Sequence, residues 1–292
     1  MLTMASDQGP VIQSAILRSE LVRLRKEERG MTQEQVAGNL EWSASKLIRV
    51  EGGHSSITKV DLDALLSQYG VTSESQRERL QALNRGAKET GWWEAYRGDA
   101  APAYLNYIGY EAGAAFIRQF PGTVVPGLLQ TPEYAEALTA ISVEPVRVAP
   151  VVKLRMQRQS ELAQREAPPR QYFVLDEAVI RRHIGIETDP AIMPNQLLHI
   201  AGRARDDDRV TVRVIPFSKG AHLGLSGPFT LLEFDGGLPD LLYLDTGRED
   251  ITMIASDDRV SEYADTFEKL LESALPADQS LEFIRIAADE MS

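Results

Sequence analysis

The sequence predicts a multidomain chain. An all-α domain of about five helices, with a helix-turn-helix at its centre, covers residues 1–88, and a mixed α/β domain covers 89–292. Three observations carry this expectation. Short apolar periods of helical spacing, each preceded by a capping residue, crowd the first 90 residues. Beyond Pro168-Pro169, runs of β-forming residues alternate with helical stretches. The charge also divides: residues 1–90 hold 12 Lys/Arg and 12 Asp/Glu, so the entire formal charge of −12 belongs to the rest.

The first helix reads over residues 14–29, where Leu17, Leu21 and Leu24 share a face. Gly30 closes it in the position that wants a left-handed residue. Thr32 with Gln35 forms a capping box that opens a second helix carrying Val36, Ala37 and Leu40 inward. Gly38 is out of place there, because glycine costs ~1 kcal/mol against alanine in a helix interior. Ser43 caps a third short helix, ASKLIRVE, with Leu47 and Val50 as its apolar pair and Gly52-Gly53 at its end. A fourth helix runs from Asp61 to Tyr69 and a fifth from Gln76 to Lys88.

In the second part, aromatics gather at 89–111: Trp92, Trp93, Tyr96, Tyr104, Tyr107 and Tyr110. Alternation suggests a strand over 115–120, and Val124 to Gly127 reads as a turn. Thr131 caps a helix with Pro132 at its first position. The basic segment 146–165 suits a helix beginning at Pro150, its cations paired with acidic surroundings rather than with phosphate. Further strands are expected at 171–175, 210–215, 229–234 and 241–244, and helices at 193–208, 257–275 and 281–288.

With 43% hydrophobic and 25% charged residues, the composition excludes a fibrous, collagen-like or disordered chain. Zero cysteines exclude disulfides, Cys-ligated zinc, iron–sulfur clusters and thiol nucleophiles. No apolar run approaches the ~18 residues that span a bilayer, and MLTMASDQGP lacks the basic-then-apolar order of a signal peptide. A cytoplasmic protein with no membrane partner is expected. Gly224-Leu225-Ser226-Gly227 falls one residue short of the G-x-S-x-G elbow, and no phosphate loop or dinucleotide fingerprint occurs. The four histidines, His54, His183, His199 and His222, lack metal-ligand spacing. The expectation is therefore no enzyme, no cofactor and no metal.

The stretch Met31 to Ala37, followed by Leu40, Ser43, Ser45, Lys46, Leu47, Arg49, Val50, Glu51 and Gly53, resembles the Cro/cI-like (XRE) helix-turn-helix of phage-repressor type. Gly38 and the large Trp42 in the turn depart from that pattern. The resemblance implies double-stranded DNA as partner, with helix 44–51 in the major groove. Ala44, Ser45 and Arg49 occupy the base-facing positions, Arg49 being suited to guanine O6 and N7. Gln33, Ser43, Lys46 and His54 take the phosphate-contacting positions, while Glu51 is read as capping or pairing within the domain.

GWWEAYRGD, YIGYEAGAAFIRQFPGTVVPGLLQTPEYAEAL, FVLDEAVIRRHIG and VRVIPFSKGAHLGLSGPFTLLEF resemble the C-terminal domain of Scr-type, antitoxin-like regulators of actinomycetes. That resemblance implies a transcriptional regulator controlled through its C-terminal domain and encoded beside a small partner protein. An alternative it leaves open is a binding module that sequesters this partner, with DNA binding secondary. A homodimer is expected, since one helix-turn-helix without net charge makes few phosphate contacts. For a partner or ligand surface the candidates are Trp92, Trp93, Arg118 and Tyr134.

Overall fold

The computed structural model describes residues 9–235, 238–245, 250–254 and 258–292. They form two compact units, Met1–Glu94 with Gly236–Leu238, and Ala95–Asp235 with Pro239–Ser292.

The first unit is helical. Helix α1 spans Pro10–Arg23 and continues through a π-helical turn at Leu24–Glu28. It starts earlier than the leucine period indicates because Pro10 supplies a preset φ at the first helical position. Gly30 ends it at φ 60°. Helices α2 (Gln33–Asn39) and α3 (Ala44–Glu51) follow. Helices α4 (Lys59–Gln68) and α5 (Glu74–Gly86) begin ahead of their expected starts, because Thr58 and Ser73 are the caps; their hydroxyls accept from the amides of Asp61 and Gln76. Ile12, Leu21, Leu24, Leu47, Leu62, Leu65, Leu66 and Leu80 form a core in which none is more than 1% exposed.

The second unit is a mixed sheet of six strands in the order β3-β2-β1-β4-β5-β6. Strands β1 (Phe116–Phe120), β2 (Arg170–Asp176) and β3 (Val210–Ile215) run parallel. Strands β4 (Phe229–Glu233), β5 (Leu241–Asp245) and β6 (Asp250–Ile254) extend the sheet by antiparallel pairing from β1 outward. On one face, Phe120, Val174, Phe229, Leu231 and Leu242 pack with Val260, Phe267 and Leu270 of helix α11 (Asp258–Ser273). The other face carries Gln119, Thr230 and Tyr243 side by side, since each is the cross-strand partner of the next.

The remaining helices are α6 (Pro102–Glu111), α7 (Pro132–Thr139), α8 (Pro145–Ala163), α9 (Glu177–Arg181), α10 (Ile192–Asp206) and α12 (Ala277–Glu290). Several expectations change. The tyrosine-rich stretch holds a helix, α6, set off by Pro102 in its first turn. Helix α8 starts at Pro145, so Pro150 lies inside it, where the missing N–H leaves one i−4 carbonyl without its usual donor. Strand β6, helix α9 and the full length of α12 also exceed what periodicity showed.

Candidate nucleic-acid interface

A buried ion pair fixes the helix-turn-helix. Arg25, at the end of the first helix, meets the Glu51 carboxylate through Nε and Nη2, each at 2.7 Å, and donates from Nη1 to the Met31 carbonyl at 2.9 Å. Gln33 Nε2 donates to the same carboxylate at 2.7 Å. The Arg25 and Glu51 side chains are 5% and 4% exposed. One carboxylate therefore ties the end of the first helix, the start of α2 and the last residue of α3 together. The Arg25 pKa is raised, chiefly by its hydrogen bonds to Glu51 and against its own burial, so the guanidinium stays charged.

The turn between α2 and α3 is a Schellman motif. The Trp42 amide donates to the Ala37 carbonyl at 2.8 Å, and the Glu41 amide to Gly38 at 3.2 Å. The motif needs a left-handed residue, and Glu41 takes it at φ 55°, the one non-glycine with positive φ among the described residues. Thr32 and Gln35 make the expected capping box, and the Ser43 hydroxyl accepts from the Lys46 amide at 3.2 Å.

Leu47 and Val50 turn inward, which leaves Ala44, Ser45, Ile48 and Arg49 on the outer face of α3. Ser45 and Arg49 are exposed, and Ala44 is half-buried. Among the described residues, none forms an ion pair or hydrogen bond with the Arg49 side chain. Ile48, 46% exposed, belongs to this face and was not singled out from sequence; an isoleucine out of phase with Leu47 and Val50 was the available signal. His54 is exposed beyond the end of α3.

Two phosphate-contacting candidates are engaged within the domain. Gln33 is committed to Glu51. Lys46 Nζ lies 2.9 Å from Asp61 and 3.8 Å from the centroid of Trp42. The Asp61 carboxyl would be raised by its burial, but its bonds to Lys46 and Thr58 hold it below the usual range. The large turn residue thus has a use: Trp42 and Asp61 together hold the lysine.

The partner or ligand candidates do not form a single site. Trp92 and Trp93 belong to the first unit, Arg118 and Tyr134 to the second. Trp93 is 3% exposed, with Trp92 edge-on at 5.7 Å. Arg118 pairs with Glu233 at 2.6 Å and Glu268 at 2.5 Å. Tyr134 is fully buried, and its hydroxyl accepts from the Val125 amide at 3.1 Å. Internal partners take the polar groups of Arg118 and Tyr134, so these two residues support the domain rather than present a contact surface. The near-elbow segment lies in a 3-10 turn, Leu223–Ser226, and His222 meets Asp176 at 2.9 Å. Among the described residues there is no group of three or more His, Cys, Asp or Glu able to hold a metal, and no helix is long and apolar enough to cross a membrane.

A short capped helix, an ordered turn and a second capped helix with Ser45 and Arg49 exposed on its outer face define a helix-turn-helix DNA-binding regulator, and residues 19–80 match the family described as Helix-turn-helix domain. Residues 104–286, more than half of the chain, match the Domain of unknown function (DUF5753), and the chain belongs to that family. No curated protein and no solved structure matches it.

Proposed function

We propose that the protein is a sequence-specific transcriptional regulator of Cro/cI-like type, whose α3 lies in the major groove and whose second domain controls that binding. The observation that carries this reading is Arg49, an exposed guanidinium on α3 with no partner among the described residues. It has the reach and the fork of donors that guanine O6 and N7 require. Ser45 offers a hydroxyl to a neighbouring base, and Ala44 and Ile48 offer apolar contact to a thymine methyl. Ser43 and His54 flank this face as phosphate contacts, whereas Gln33 and Lys46 act chiefly by fixing α2 and α3. The protein acts by binding rather than by catalysis.

Its first 90 residues carry no net charge, so one copy gains little from phosphate attraction. Two copies reading half-sites about 34 Å apart supply the missing contacts. The acidic surplus of residues 91–292, 19 Lys/Arg against 31 Asp/Glu, also suits a small basic partner protein of the kind the Scr-type resemblance implies. Selecting random duplexes with the full chain and repeating with Arg49→Ala tests the groove assignment. The expected result is lost preference at one guanine per half-site, a discrimination of about 1–3 kcal/mol. An unchanged consensus overturns it.

A further inference from the structure

The second unit contains a cleft of about 400 Å³ between α6, α8, the turn at 124–127 and the sheet row Gln119, Thr230 and Tyr243. Small-molecule sites are commonly about 300–1,000 Å³. A hollow of about 860 Å³ on α4 and α5 is lined by charged and polar residues, among which Arg77 pairs with Asp63.

One wall of the cleft is aromatic. Tyr107 lies 4.4 Å from Tyr243 between ring centroids and stacks with Tyr104 at 6.3 Å. A closed polar network lies behind it. The Tyr107 hydroxyl donates to Glu111 at 2.7 Å, Arg158 donates twice to Glu111 at 2.5 Å, and Arg158 Nη1 donates to Tyr104 at 2.9 Å. Glu111 thus neutralises Arg158.

The other two arginines keep their charge available. Arg147 donates from Nη2 to the Asp99 carbonyl at 2.5 Å, and its Nε is buried with no partner. Arg155 donates to Gln130 at 3.2 Å. Gln119 Oε1 is likewise buried and unpartnered. Asp99 is the one acid among the described lining residues, although residues 91–292 are acidic as a whole. Buried polar groups left unpaired are costly, and two of them belong to residues that line one cleft here.

The geometry points to this cleft as the binding site of a small aromatic carboxylate bearing a ring hydroxyl or amine. Arg147 and Arg155 take the anion, Tyr104, Tyr107 and Tyr243 take the ring, and Gln119 accepts from the hydroxyl or amine. This inference does not depend on how α3 meets DNA.

The test uses the full chain without DNA, titrated by calorimetry with 6-hydroxy-2-naphthoate and, separately, with uncharged 2-naphthol. Saturable binding of one 6-hydroxy-2-naphthoate per chain is expected. Arg147→Gln should weaken the carboxylate about tenfold or more while leaving 2-naphthol unchanged. Val124→Trp, at the half-buried turn that lines the cleft, should block both compounds without lowering the melting temperature. No saturable binding overturns the proposal. So does equal weakening of both compounds by Arg147→Gln, or undiminished binding to a folded Val124→Trp.

Discussion

Glu51→Ala gives the sharpest check on how the helix-turn-helix is held. The substitution removes three hydrogen bonds of 2.7 Å at once, two from Arg25 and one from Gln33. Arg25 remains 5% exposed with one bond left, to the Met31 carbonyl. Breaking a buried pair on one side costs about 3–5 kcal/mol. Since a domain's whole stability is about 5–15 kcal/mol, the variant should stand near the edge of unfolding. Glu20→Ala is the control: it breaks pairs to Arg23 and Arg79, whose side chains are 41% and 49% exposed, and should cost at most about 1 kcal/mol. All three tryptophans, Trp42, Trp92 and Trp93, lie in the first unit, so urea unfolding followed by tryptophan fluorescence reads that unit alone. Arg25→Met combined with Glu51→Leu should recover most of the loss, because no bare charge stays buried. If Glu51→Ala shifts the midpoint no further than Glu20→Ala, the clamp does not hold the motif.

The turn offers a change of opposite sign. Glu41→Gly removes a left-handed cost of about 1–2 kcal/mol against a glycine entropy cost of about 0.5–1, so a gain of about 0.5–1 kcal/mol is expected in the same fluorescence assay. Gly38→Ala should also stabilise, by up to about 1 kcal/mol, because a Cβ there meets nothing within 4 Å. In the second unit, burial and then Arg203 hold the His199 pKa below its ordinary 6.5. The unfolded chain therefore binds this proton more readily, and the stability that neutral His199 permits is lost as pH falls through 6.5 toward the lowered folded value. Calorimetric melting of wild type between about pH 7 and pH 5 should show the decline, and His199→Asn should flatten it.

The first domain was legible in the sequence because its signals are local. The Thr32–Gln35 capping box, the Ser43 cap, Gly30 and the Leu47/Val50 pair each act within a few residues, and each lies where it was read. What escaped there depends on distant residues. Glu51 reads as a capping or pairing residue, but its partner, Arg25, stands 26 positions away, and the use of Lys46 is set by Asp61 and Trp42. Beyond residue 94, strands β1 to β5 were legible from alternation and breakers, but β6 lay beyond the strands that were read. Helix α6 was hidden because its tyrosines read as an aromatic cluster rather than a helical period. The basic run at 146–165 reads as paired with acidic surroundings, yet only the folded chain separates Arg158, neutralised by Glu111, from Arg147 and Arg155 in the cleft.

Methylation interference on a duplex selected by the wild-type chain tests the central claim most directly, because guanine N7 is the atom that Arg49 is assigned to meet. With the wild-type chain, methylation should block binding at one guanine in each half-site, the two separated by about 10 base pairs. With Arg49→Ala, binding should weaken and interference at those guanines should vanish. Identical interference with both proteins would contradict the placement of α3 in the groove.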